Sequence, residues 1–116
     1  MLKLRSHLIG VEQGSALMFS DFEHDGEMWT GTGPRQSRLA VRFSEAFRAP
    51  PAVHVALGML DMDHGRNHRT DLRAEEITAE GFELVFRTWA DTRVARVRAE
   101  WLAIGELDDP EQWDID

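Results

Sequence analysis

The sequence predicts an all-β protein, a small antiparallel β-sandwich of about six strands. Three observations carry that expectation. Apolar and polar residues alternate with period two in several short runs. Turn residues recur roughly every eight to twelve positions. Only one stretch, residues 71–80, holds enough Glu, Ala and Leu to compete as a helix. At 116 residues the chain is long enough for one buried core without staples.

Taken in order, the first 36 residues are the poorest in pattern. Residues 17–19 and the pair Met28 and Trp29 are expected as short strands, separated by the polar loop 20–27. WTGTGPR, residues 29–35, reads as a loop. Leu39, Val41 and Phe43 alternate with Ala40 and Arg42, which predicts a strand. Pro50 and Pro51 mark the entry to residues 52–60, AVHVALGML, whose near-continuous apolar run predicts a strand covered on both sides. Residues 69–77 are a weaker strand. Thr78 to Gly81 forms a tight turn feeding the next strand, and residues 82–89 and 94–104 read as a hairpin turning at 90–93.

Parity within that last segment separates core from surface. Phe82, Leu84 and Phe86 share one face, as do Val97, Ala99, Trp101 and Ala103 beyond the turn. Glu83, Arg87 and Trp89 take the opposite parity. Trp101 is therefore a core residue, whereas Trp89 is a large ring displayed beside a turn.

Charge and composition exclude several classes of function. The formal net charge is −8, but six acids and no base lie in residues 106–116 (ELDDPEQWDID), and the remainder is near −2. The chain thus divides into a domain over 1–105 and an acidic tail over 106–116, either solubilising or a docking strip anchored by Trp113. There is no basic footprint for nucleic acid. Cysteine is absent, which removes disulfides and thiolate sites. No window approaches the ~20 apolar residues of a membrane helix, so no membrane insertion is expected. The N-terminus has no signal-peptide pattern, which predicts a soluble protein and leaves its localisation open.

No catalytic motif is present. GxSxG is absent, Ser15, Ser20, Ser37 and Ser44 lie in ordinary contexts, and the glycines of residues 29–35 follow no βα pattern, so an enzyme is not expected and no cofactor is implied. The one metal-like cluster is Asp61, Asp63, His64 and His68, of ligand chemistry suited to zinc, but Gly65 and Asn67 between them explain it equally as a turn. Arg69 is either a solvated charge or a planar fork for ligand oxygens. Trp89 is either a packing residue or a flat apolar surface for the C–H side of a sugar. Asp91 is either a turn residue or a hydroxyl acceptor.

Together these residues resemble the H-type lectin domain family, which includes the snail agglutinins and the C-terminal domain of discoidins. The resemblance runs without gaps from about Phe43 to Ile104. It takes in Pro50, Pro51, Ala52 and Val53, then Leu60 and Asp61, Arg69, Gly81 and Phe82, Thr88 and Trp89, Thr92, and Trp101 with Ala103 and Ile104. The resemblance implies a trimeric sandwich that binds N-acetylgalactosamine-type sugars between protomers, with Arg69 as the sugar-binding arginine and Trp89 as the apolar floor. It gives the Val85, Arg87 and Trp89 face a use as a trimer contact. Three positions depart from the snail type: Ala90 replaces a histidine, Ala95 an aromatic, and Thr32, flanked by Gly31 and Gly33, falls where a loop aspartate is expected. Asp91, Asp63 or His64 then supply hydroxyl acceptors. The expected partners are glycans and further copies of the chain. The alternative is a trimeric structural or adhesion module of the same fold, such as a phage-like tip or adaptor, that binds no sugar.

Overall fold

The computed structural model describes residues 1–5 and 7–108. Six strands form two three-stranded antiparallel sheets: β1 (Ile9–Ser20), β2 (Arg35–Arg42), β3 (Ala52–Met62), β4 (Asp71–Glu75), β5 (Gly81–Thr88) and β6 (Val94–Glu106). One sheet has the order β1-β6-β3 and the other β2-β5-β4. The expected sandwich is present. Among the described residues no helix is long and apolar enough to cross a membrane. Trp113 and most of the acidic segment lie outside the described residues.

The core lies between the sheets and follows the parity rule. Phe82, Leu84 and Phe86 are buried on β5, as are Val97, Ala99, Trp101 and Ala103 on β6. At one end, the Phe82 ring stands edge-on to Trp101 at 5.5 Å, and Phe43 packs on both. Gly14 of β1 lies directly under Trp101, where a Cβ would come within 2.8 Å of the indole. A second cluster of Met28, Phe86, Val94 and Val97 fills the other end.

Three local expectations fail, each for a tertiary reason. First, β5 and β6 do not form a hairpin. Each is the central strand of a different sheet, so residues 89–93 arch across the sandwich, while β5 pairs with β4 instead. Second, residues 52–60 are not covered on both sides. β3 is an edge strand of its sheet, and Leu57 and Leu60 are 37% and 39% exposed. Third, Met28 and Trp29 lie in a one-turn helix, α1 (Glu27–Thr30), and not in a strand. Asp21 holds that turn through Oδ2, which accepts the Met28 N–H, and Met28 anchors it in the core. On the face of β5 that carries Val85, Arg87 and Trp89, Trp89 is 43% exposed. Val85 is fully buried between its cross-strand neighbours Arg38 and Arg73. Around it runs a lattice of ion pairs: Arg38 with Glu75 and Glu83, Arg87 with Glu75 and Asp71, and Arg73 with Asp71. Residues 71–80 are strand β4 and a turn, not a helix, because the backbone of β4 pairs along β5.

The outer face of the other sheet differs in kind. Val11, Ile104 and Ala52 form one cross-strand row, next to the row Gln13, Leu102 and His54. Val11 and Leu17 are 64% and 55% exposed. One outer face is a lattice of ion pairs; the other mixes exposed apolar side chains, Val11 and Leu17, with polar ones such as Gln13, Arg98 and Glu100.

Candidate functional site

Three connections meet at the end of the sandwich where β5 gives way to β6: the approach to β2, residues 63–70 between β3 and β4, and the arch 89–93. A hydroxyl pair stitches the last two. Thr92 is fully buried, and its Oγ1 donates to the Asn67 carbonyl at 2.6 Å while accepting the Arg69 N–H at 3.1 Å. Thr88, 1% exposed, donates through Oγ1 to the Arg69 carbonyl at 2.6 Å. Both backbone groups of Arg69 are thus fixed by side chains, one from the end of the neighbouring strand β5 and one from the arch, and its own side chain leaves toward Asp91.

There it meets Asp91. Nη1 of Arg69 donates to Oδ1 of Asp91 at 2.6 Å, and both side chains are partly exposed. Partial desolvation works against the charged Asp91 carboxylate. Hydrogen bonds from its own backbone N–H, from Arg69 and from Asn67, together with the Arg69 charge, outweigh it and hold the carboxyl below its usual range. Arg69 spends one N–H on the pair, so its remaining guanidinium donors form a donor edge beside a carboxylate that also accepts from its own backbone N–H and from Asn67. Trp89 opens the arch and is 43% exposed.

The second anchor of the arch is a residue sequence reasoning passed over. Arg35 is 7% exposed, and its guanidinium is a clamp on four carbonyls. Nε donates to Gly33 at 2.9 Å, Nη1 to Met28 at 3.2 Å and Glu27 at 3.4 Å, and Nη2 to Ala90 at 3.3 Å. Burial lowers its pKa, and the Glu27 charge opposes that. The carbonyl of Ala90 also accepts the Gly33 N–H at 2.9 Å. Ala90 and Gly33 both take positive φ, 60° and 76°, the left-handed region in which glycine alone is unstrained. A signal for Arg35 was present: it shares parity with Leu39 and Val41, which point inward on β2.

The expected site residues therefore divide. Arg69 and Asp91 touch, Trp89 adjoins them in sequence, and Gly33 is bound to the same arch, with Thr32 exposed beside it. Asp63 serves its own loop: its N–H donates to the Arg93 carbonyl at 3.1 Å, and its Oδ1 accepts from the Gly65 N–H at 2.9 Å. Asp61 pairs with Arg96 at 2.8 Å, and His68 Nε2 lies 3.3 Å from the Asp63 carbonyl oxygen. Among the described residues, no three His, Asp or Glu side chains converge as a metal site, so the four candidate ligands are not assembled into one.

Residues 38–104 match the H-type lectin domain model. Over its full length the chain is 57% identical to the whole of a Fuscovulum blasticum protein, ATP synthase subunits region ORF 7. It is 32% identical over 75 residues to a discoidin-1 polypeptide of Dictyostelium discoideum, covering 64% of this chain and 30% of that one. The structure of discoidin II from the same organism superposes with a TM-score of 0.74 at 24% identity, over 94% of this chain and 41% of the other. The chain thus spans only about a third of the discoidins it resembles.

Proposed function

This chain belongs to the H-type lectin domain family, and we propose on that footing that it is a carbohydrate-binding module. It takes galactose- or N-acetylgalactosamine-type sugars, and its sites lie between the protomers of a homotrimer. The observation that carries this reading is the Arg69–Asp91 pair on the same arch that carries an exposed Trp89. A pyranose offers hydroxyls that donate and accept at once, and an apolar C–H face. The ion pair supplies both kinds of partner, and the indole supplies the platform. Thr32 and Gly33 border the same arch. The protein acts by binding and not as an enzyme.

Few polar contacts at an open site give weak affinity, near millimolar, about −4 kcal/mol. Three sites on one assembly raise the effective strength on a dense glycan surface. The trimer contact of this proposal is the outer face of the β1-β6-β3 sheet, where Val11 and Leu17 expose apolar area among Gln13, Ser15, Arg98 and Glu100 that a second copy would cover. The ion-paired face of β2-β5-β4 has its charges matched internally.

A glycan array of wild-type protein beside Arg69→Ala tests the reading. Galactose-type hits that vanish in the variant support it; hits that persist remove Arg69 from the site. One observation favours the second reading, a trimeric structural module without a sugar. Arg69 and Asp91 already satisfy each other, so the pair serves equally as a latch between two loops. A stable trimer with an empty array supports that alternative.

A further inference from the structure

We propose a second saccharide subsite in the cleft bounded by Phe22, Trp29, Asp61, Met62 and Arg96; this deepens the lectin reading and rests on it. The cleft has a volume of about 420 Å³, within the size of small-molecule sites. It is separate from the Arg69 corner, because the arch divides the two. Asp91 and Thr92 face Arg69, whereas the guanidinium of Arg93 lies over the Trp29 ring at 5.9 Å.

The cleft is built, not incidental. Phe22 sits on a 3-10 turn, Asp21–His24, and Trp29 on α1. Asp21 ties the two together, its carbonyl accepting the Gly26 N–H at 2.9 Å and its Oδ2 the Met28 N–H at 3.0 Å. Met28, 2% exposed, pins the excursion to the core. The result is an edge-to-face aromatic pair at 5.1 Å whose outer ring, Phe22, is 58% exposed. A rigidly held phenyl ring facing water is an apolar platform prepared at little further entropic cost.

Opposite it stand two polar partners. Asp61 and Arg96 are a cross-strand pair, and Oδ2 of Asp61 accepts from both Nε at 3.1 Å and Nη2 at 2.8 Å of Arg96. Among the described residues, Oδ1 of Asp61 and Nη1 of Arg96 have no other partner, leaving one acceptor beside one donor. Two vicinal hydroxyls of a pyranose match that pattern, one donating to Oδ1 and one accepting from Nη1. The pair is neutral as a unit, and Glu23 adds a negative charge at the rim. The Arg93 guanidinium over the Trp29 ring offsets Glu23, so the cleft carries no net charge and the occupant is a neutral sugar.

The test is an NMR titration of the full ¹⁵N-labelled chain with methyl N-acetyl-β-galactosaminide up to about 50 mM, following the indole N–H signals of Trp29 and Trp89. Both signals shift in the wild type. Phe22→Ala weakens the Trp29 response by about tenfold or more and leaves the Trp89 response in place. Arg69→Ala does the reverse. Asp61→Asn, which keeps the aromatic pair, weakens the Trp29 response as Phe22→Ala does. A stationary Trp29 signal in a protein whose Trp89 signal moves overturns the subsite and spares the lectin reading. A moving Trp29 with a stationary Trp89 retains the cleft and removes sugar from the Arg69 corner. Silence at both overturns both, and a Trp29 shift indifferent to Phe22→Ala and Asp61→Asn overturns the subsite.

Discussion

Nη1 of Arg69 lies 2.6 Å from Oδ1 of Asp91, so two loops far apart in sequence close on each other through one charge-assisted hydrogen bond. The bond fixes one N–H of the guanidinium, and among the described residues the guanidinium makes no other hydrogen bond. In the proposed sugar site this pair is organised before any ligand arrives, and its failure modes are those of the loop scaffold.

The first prediction concerns pH. The Asp91 carboxyl is held below its usual range in the folded protein. A depressed pKa stabilises the fold above the unfolded value, about 3.9, and that contribution is lost as pH falls through the lower folded value. Wild type should melt above Asp91→Asn at neutral pH, and the gap should close only in the acid range below about pH 4. A gap that closes between about pH 5 and 7 would exclude Asp91 as its source.

The second concerns the buried hydroxyl under Arg69. Thr92→Val removes the acceptor of the Arg69 N–H and the donor to the Asn67 carbonyl. Leaving buried polar groups unpaired costs about 1–3 kcal/mol, to be read from urea denaturation. Thr92→Ser keeps the oxygen and should recover most of the loss.

Packing sets the third. In Gly14→Ala the new methyl would sit within 2.8 Å of the Trp101 indole, on a strand already paired along its length. Overpacking of this kind costs about 1–3 kcal/mol. Trp101 is hemmed by Phe43 and Phe82, so its near-ultraviolet circular dichroism should change together with stability.

The two outer faces give the fourth. Val11→Lys combined with Leu17→Lys should dissociate the proposed trimer, as measured by light scattering, with the monomer still folded. Arg38→Ala, on the ion-paired face, should leave the assembly intact and change the melting temperature little. Dissociation by Arg38→Ala alone would move the contact to that face.

How much of this is legible in the sequence depends on the range of the physics involved. Side-chain parity in a strand is a local property with a period of two, and it sorts Phe82, Leu84, Phe86 and Trp101 from Trp89 before any coordinates. The same rule flags Arg35 once a charged residue on the apolar parity is taken as a buried clamp. The apolar run of β3 misleads because composition does not tell an edge strand beneath an exposed apolar face from a strand buried in a sheet.

The sequence by itself determined the class of fold, most of the core and the family, because alternation, turn residues and motif spacing are written in consecutive positions. Only the tertiary structure decided that β5 and β6 face each other across the sandwich and do not pair edge to edge. That one choice creates the arch 89–93, and with it the meeting of Arg69 with Asp91 and the separation of the Phe22–Trp29 cleft behind Arg93. A backbone edge is chemically the same whichever neighbour it bonds. The partner is selected by which arrangement buries all the inward faces at once, and no single segment of the chain contains that information.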